Sequence, residues 1–79
     1  MADVSKVINL IIRAFEHQTQ GDLQETFKQE LEQGLGDFLE NEGDLQLAIR
    51  KAYRTYMDAE APSNWVDVAE RKLKAYCDL

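Results

Sequence analysis

The side chains that could act as a nucleophile or a base are scarce and scattered in this sequence. It contains one histidine, His17, one cysteine, Cys77, and two serines, Ser5 and Ser63. A hydrolytic triad needs a nucleophile, a base and an orienting acid that converge in space, and no local signature surrounds Cys77 or Ser63. We therefore expect that the protein is not an enzyme and has neither catalytic residues nor a cofactor.

A cluster of acids around Gly43 is the candidate for a calcium site. It consists of Asp37, Glu40, Glu42 and Asp44. An EF-hand loop needs oxygen ligands at positions 1, 3 and 5, glycine at position 6 and an acid at position 12. Placing Gly43 at position 6 puts Phe38 at position 1 and Ile49 at position 12, so the frame fails. The single thiol likewise excludes a zinc site of several cysteines, and we expect no metal site.

The composition is that of one small globular domain. The chain has 79 residues, of which 44% are apolar and 30% charged, with a net charge of −6. This length predicts a single domain over 1–79. Since a spanning helix needs about 20 apolar residues and the one cysteine cannot form an internal disulfide, we expect a cytoplasmic protein without a membrane segment. The acidity argues against a protein that coats nucleic acid.

Apolar residues recur at helical spacing throughout the chain, which predicts an all-α domain of four helices. The predicted helices span about 3–19, 22–41, 44–60 and 63–77. Asp22 and Glu25 have the spacing of a capping box at the second helix. Asp44 is the predicted N-cap of the third helix, and Ser63 or Asn64 that of the fourth.

Two features of the second and third helices leave alternatives open. Gly34 and Gly36 lie within the apolar stripe of helix 2, so this helix is either continuous, which we favour, or kinked or split there. The tetrapeptide at 21–24, Gly-Asp-Leu-Gln, recurs at 43–46. It indicates either a duplicated helical unit or two helix starts that use the same stop and cap residues.

The charge is concentrated in the middle of the chain. From Glu16 to Asp44 there are nine acids and one base, a net charge of −8. Our main hypothesis is a non-catalytic regulatory protein whose second helix presents an acidic face to a basic protein surface. The predicted contact residues are Glu25, Glu30, Glu32, Asp37 and Glu40. The alternative is a solvated face that keeps a small protein soluble.

The third helix has the opposite charge and supports two further hypotheses. Arg50, Lys51 and Arg54 alternate with tyrosines, a pattern that could grip phosphates in a nucleic-acid-binding or transcription-associated module, although the overall charge opposes it. Alternatively, this basic helix pairs with the acidic helix 2, within the fold or across a homodimer. Trp65 is predicted either to plug the turn before helix 4 or to anchor a partner next to the basic face.

Overall fold

Four helices account for the regular secondary structure of residues 4–20, 24–41 and 43–78, which are the residues that the computed structural model describes. They are α1 Val4–Gln20, α2 Glu25–Glu40, α3 Leu45–Met57 and α4 Ser63–Tyr76. The predicted all-α architecture of four helices is therefore confirmed. In these ranges no helix has both the length and the apolarity that crossing a membrane requires.

The helices pack as a four-membered arrangement around one apolar core. α1 packs against α2 and α3, and α4 packs against the same two helices. α2 and α3 therefore lie diagonally opposite each other, although they are consecutive in the chain. Every helix supplies a fully buried side chain to the core, because Ile11, Leu31, Leu35, Ile49 and Val66 each have 0% exposed surface.

α2 begins at Glu25, two residues later than the capping-box pattern predicts. Its N-cap is Gln24, whose backbone is extended (φ −65°, ψ 145°) and whose side chain makes no capping hydrogen bond. A capping box needs its acid at the third helical position, and Glu25 occupies the first, so that prediction is wrong in register. Asp22 itself lies outside the described residues. The charge of Glu25 still favours the helix start, because it lies at the positive end of the helix dipole.

α3 has the predicted N-cap but ends earlier than expected. Asp44 Oδ1 accepts a hydrogen bond of 3.3 Å from the backbone N–H of Leu47, which confirms Asp44 as the cap. The helix ends at Met57 rather than near residue 60, because Asp58 adopts a left-handed conformation with φ 54°. Since the N-caps are Gln24 and Asp44, the repeated tetrapeptide does not produce two equivalent helix starts.

Pro62, and neither Ser63 nor Asn64, occupies the N-cap position of α4. Its backbone is extended (φ −63°, ψ 140°), and Val66 N–H donates to its carbonyl oxygen at 3.0 Å. Ser63 is therefore the first helical residue, and the predicted side-chain cap is wrong. The fixed φ of proline suits this entry into the helix without a capping side chain.

α2 is continuous through both of its glycines, as we favoured from its unbroken apolar stripe. Their surroundings differ. A Cβ at Gly34 would collide with Leu10 of α1, whereas a Cβ at Gly36 would meet no atom of the described residues within 4 Å. Gly34 therefore allows α1 and α2 to approach closely, while Gly36 faces open space and makes no comparable contribution to packing.

Gly43 lies where the chain leaves α2 and turns towards α3. Its backbone N–H donates to the carbonyl oxygen of Phe38 at 3.0 Å. A Cβ at this position would collide with the aromatic ring of Phe38, which is only 4% exposed. The connection therefore passes directly over a core side chain, and only glycine leaves room for it.

Alanine at the two α2 glycines should separate helix propensity from packing. We expect Gly36→Ala to raise the free energy of unfolding by about 0.5–1 kcal/mol, because alanine is the better helix former and the site is open. Gly34→Ala should lose that gain, because overpacking against the buried Leu10 typically costs about 1–3 kcal/mol. Urea unfolding followed by circular dichroism measures both. Equal stabilisation by the two substitutions would contradict the close approach of α1 and α2.

The left-handed backbone conformation of Asp58 allows a test of backbone strain. We expect Asp58→Gly to raise the free energy of unfolding by about 1 kcal/mol, because glycine adopts a positive φ without steric cost and because a negative charge at a helix C-terminus is removed. Asp58→Ala removes the same charge but keeps a Cβ, so it is the matched control. Both are measured by urea unfolding, and a glycine variant no more stable than the alanine variant would contradict the strain.

Candidate functional site

The structure places His17, Ser63 and Cys77, the candidate residues for a hydrolytic site, in different parts of the fold. The imidazole of His17 stacks on the ring of Phe27, with 4.8 Å between ring centroids and an interplanar angle of 23°. The guanidinium carbon of Arg13 lies 4.6 Å from the centroid of the same ring. Ser63 begins α4 and Cys77 follows its last residue, so about 20 Å of helix separates these two nucleophiles. They therefore cannot serve one site.

Cys77 is a buried thiol at the end of α4. Its side chain is 5% exposed and forms part of the core. Burial, and secondarily the negative charge of Glu32 in α2, raises its pKa to about 11. The acid that contributes to this shift, Glu32, lies 45 positions away from Cys77 in the chain. Since the thiolate is the reactive form, this environment disfavours nucleophilic chemistry.

The acids around Gly43 do not converge on a common point. The side chain of Asp44 caps α3 by accepting from Leu47 N–H, and Glu42 lies outside the described residues. Within the described ranges, no group of three or more histidine, cysteine, aspartate or glutamate residues could hold a metal ion.

Three of the five predicted acidic contacts form a single row along α2. The row, which we call the acidic row, consists of Glu30, Asp37 and Glu40, with Gln33 between the first two. These positions follow the spacing i, i+3, i+7, i+10, which places them on one side of a helix. All four side chains are exposed. The acidic row therefore runs along the solvent side of α2, about 15 Å in length at 1.5 Å per residue.

The internal partner of the acidic row is a weak one. Glu30 Oε2 lies 3.4 Å from Arg13 Nη2, and the two side chains are 58% and 50% exposed. An ion pair this exposed contributes at most about 1 kcal/mol to the stability of the fold. Arg13 and Glu30 can therefore each leave this pair for another partner at little cost. Asp37 and Glu40 form no ion pair with any cation in the part of the chain that the structure describes.

The other two predicted contacts, Glu25 and Glu32, lie apart from the acidic row. Around α2, their positions are turned by roughly 100–120° from the middle of that row. Glu32 is half-buried and close enough to Cys77 to raise the pKa of its thiol, which places it on the side towards α4. The five acids thus divide into the acidic row and two residues on a neighbouring flank of α2, where Glu25 is also exposed.

A row of cations runs along the solvent side of α3. This cationic row consists of Arg50, Lys51 and Arg54, together with Leu47, whose side chain is 50% exposed. Its spacing is i, i+3, i+4, i+7, opposite to the buried Leu45, Ala48, Ile49 and Ala52 of the same helix. We did not single out Leu47 from the sequence, although its membership of this stripe could have been found from the spacing.

The cationic row forms one wall of a groove of about 530 Å³. The opposite wall is the connection 58–61, which contributes the carboxylates of Asp58 and Glu60. Neither acid is within ion-pair distance of the cationic row, and over the described ranges no other carboxylate is either. The groove therefore presents three cations that have no ion-pair partner in the described ranges, beside a half-exposed leucine and opposite two carboxylates.

Trp65 does not belong to the cationic row. Its ring is half-buried between Phe15 of α1 and Tyr53 of α3, at centroid distances of 5.0 and 4.6 Å. Both contacts are edge-to-face, a favoured geometry for aromatic pairs. Trp65 thus joins three helices at the edge of the core. Tyr56 also contacts Phe15, at 6.4 Å, but is 44% exposed, so it is less buried than its place on the apolar stripe predicts.

The acidic and basic helices do not pair within one chain. Because α2 and α3 are diagonally placed, each packs against α1 and α4 rather than against the other. No ion pair joins them within residues 24–41 and 43–78. The intramolecular version of the charge-pairing hypothesis is therefore not realised, and the two rows remain available on separate surfaces.

The buried thiol generates a prediction about reactivity. We expect iodoacetamide at pH 8 to alkylate Cys77 at least about 100-fold more slowly in the folded protein than in the urea-unfolded chain, because a pKa two units higher lowers the thiolate fraction by that factor. The folded-state rate should keep rising with pH up to about 11. Equal rates in the two states would contradict the burial of Cys77. The raised pKa also implies a contribution to stability that is complete below the unfolded pKa near 9 and is lost as the pH passes about 11.

Comparisons with known proteins identify no relative of this chain. No protein-family model matches it, and neither a curated protein nor a solved structure matches at the significance required. The acidic and cationic rows are therefore the features of this chain from which a function can be inferred.

Proposed function

We propose that this protein is a non-catalytic interaction domain with a regulatory role, and that it binds a basic protein surface through the acidic row of α2. The observation that supports this proposal most directly is the row itself, since Glu30, Asp37 and Glu40 lie exposed on one side of a single helix. We infer in addition that it acts in the cytoplasm, because its single cysteine cannot provide an internal disulfide.

The core side of α2 holds the acidic row in place. Phe27, Leu31, Leu35 and Phe38 are buried beneath it, so the carboxylates keep a defined spacing relative to the rest of the protein. A disordered acidic tail would lose chain entropy on binding, whereas a row on a packed helix is already ordered. Such preorganisation favours one arrangement of basic groups on the partner.

The local charge is large enough to steer a basic partner. α2 contains five acids and one base, Lys28, between Glu25 and Glu40. Complementary charge of this kind increases association rates and selects partners more than it increases affinity, and salt screens it. Binding through the acidic row should therefore weaken as the ionic strength increases.

The nucleic-acid alternative would use the groove beside α3. Its support is the set of three cations, Arg50, Lys51 and Arg54, that face this groove. Against it stand the carboxylates of Asp58 and Glu60 on the other wall, which would repel a phosphate backbone, and the net charge of −6. A gel-shift experiment with duplex DNA and RNA at low salt tests this alternative, and we expect no retardation at micromolar protein.

A matched pair of charge reversals tests the proposed function. Glu40→Lys alters the acidic row, while Glu60→Lys makes the same change in net charge at an exposed site outside α2. We expect a basic protein captured from extracts of the native host by the wild type to bind the Glu40→Lys variant at least about tenfold more weakly, and to bind the Glu60→Lys variant with little change in affinity. The positive charge introduced by Glu40→Lys lies in the last turn of α2, where the helix dipole favours it, so we expect the helix to remain folded.

Salt and circular dichroism complete this test. Raising the salt from about 50 to about 300 mM should weaken the wild-type complex severalfold, while the helical content of both variants should stay at the wild-type value. A complex that is insensitive to salt, or one that both reversals weaken equally, would contradict recognition through the acidic row.

A further inference from the structure

We propose that the basic surface bound by the acidic row is the cationic row of a second copy of this chain, so that the protein self-associates head to tail. This proposal rests on the proposed function, because it names the partner of the same surface. The acidic row comprises Glu30, Gln33, Asp37 and Glu40, and the cationic row Leu47, Arg50, Lys51 and Arg54.

The two rows are complementary in charge and comparable in length. α3 carries three cations and no acid, whereas α2 carries five acids and one base. The cationic row extends over about 10 Å and the acidic row over about 15 Å along their helix axes. Two such rows on facing helices can pair in the manner of the charged flanking positions of a coiled coil.

The diagonal arrangement determines the form of this association. Since α2 and α3 lie on opposite sides of the core, the acidic and cationic rows of one chain point away from each other. A second copy that covers one row therefore leaves the other row free, and the contact joins two different surfaces. Contacts of this kind propagate into longer assemblies unless they close into a ring.

Gly36 is a second observation that fits a close approach to α2. It lies one turn before Glu40 and three residues after Gln33, beside the acidic row, and a Cβ there would meet nothing within 4 Å. Among the residues that the structure describes, no packing requires glycine at this position, although glycine weakens a helix by about 0.5–1 kcal/mol. The absence of a side chain at Gly36 would let a helix of a second chain approach the backbone of α2 closely beside the acidic row.

Other occupants of the groove beside α3 fit less well. A nucleic acid would meet Asp58 and Glu60 on the far wall. The acidic row includes the neutral Gln33, and the cation Arg13 lies next to Glu30. Both surfaces therefore carry some charge of the opposite sign, as a contact between them requires on the far wall of the groove. Two chains of net charge −6 repel each other at long range, but at physiological salt this repulsion is largely screened beyond about 8 Å, whereas paired charges in contact are screened less.

A charge-swap experiment on the full chain tests this assembly. Sedimentation velocity at about 150 mM salt should show wild-type association that increases with protein concentration up to about 1 mM, which brackets weak binding. The Asp37→Lys/Glu40→Lys and Arg50→Glu/Arg54→Glu variants should each associate at least about tenfold more weakly. Mixing the two variants restores complementary charges at every contact, so the equimolar mixture should regain association.

Several outcomes decide between this proposal and its alternatives. Restoration in the mixture has no explanation in net charge, because both variants remain negative. A wild-type protein that stays monomeric at the highest concentration, or a mixture that stays monomeric, overturns self-association. If the wild type is monomeric but the Glu40→Lys substitution still abolishes binding of a foreign basic protein, only this inference fails. If that substitution affects neither kind of binding, the proposed function fails as well.

Discussion

The packing of α2 and α3 on opposite sides of the α1–α4 pair is the constraint on which the other properties depend. A chain of 79 residues must build its core from four short helices, and each helix can bury only one stripe. α1 uses its stripe against both α2 and α3, with Ile11 and Ile49 fully buried. Because α1 and α4 stand between them, α2 and α3 cannot neutralise each other, and their charged sides must face solvent.

This separation changes the meaning of the net charge. A value of −6 suggests a uniformly acidic protein, whereas the structure has one acidic side and, across the core, one basic side. The ion pair between Arg13 and Glu30 crosses from α1 to α2 and hardly reduces the contrast, since both side chains are largely exposed. The protein is therefore better described by the direction of its charge asymmetry than by its total charge.

Apolar periodicity and capping residues predicted the four helices, whereas the exact helix ends and the environment of Cys77 depend on the folded backbone and on contacts between distant residues. The period of the apolar residues predicted four helices, and the side chain of Asp44 has the local geometry of a cap, so both predictions were correct. The predicted start of α2 and the predicted end of α3 were wrong, because Gln24 and Asp58 adopt backbone conformations that their residue types do not dictate. The raised pKa of Cys77 comes first from its burial and then from the charge of Glu32, and both depend on contacts between distant parts of the chain that periodicity cannot reveal.

The position of Gly43 over the ring of Phe38 has a consequence for folding. Each neighbouring pair, α1 with α2 and α3 with α4, brings together segments that are close in sequence, so each hairpin can form through local contacts. The contacts between α1 and α3 close a longer loop, at a larger cost in chain entropy. A side chain at Gly43 would collide with the ring of Phe38 at the connection between the two hairpins, so it would oppose the closure of that loop more than the formation of either hairpin.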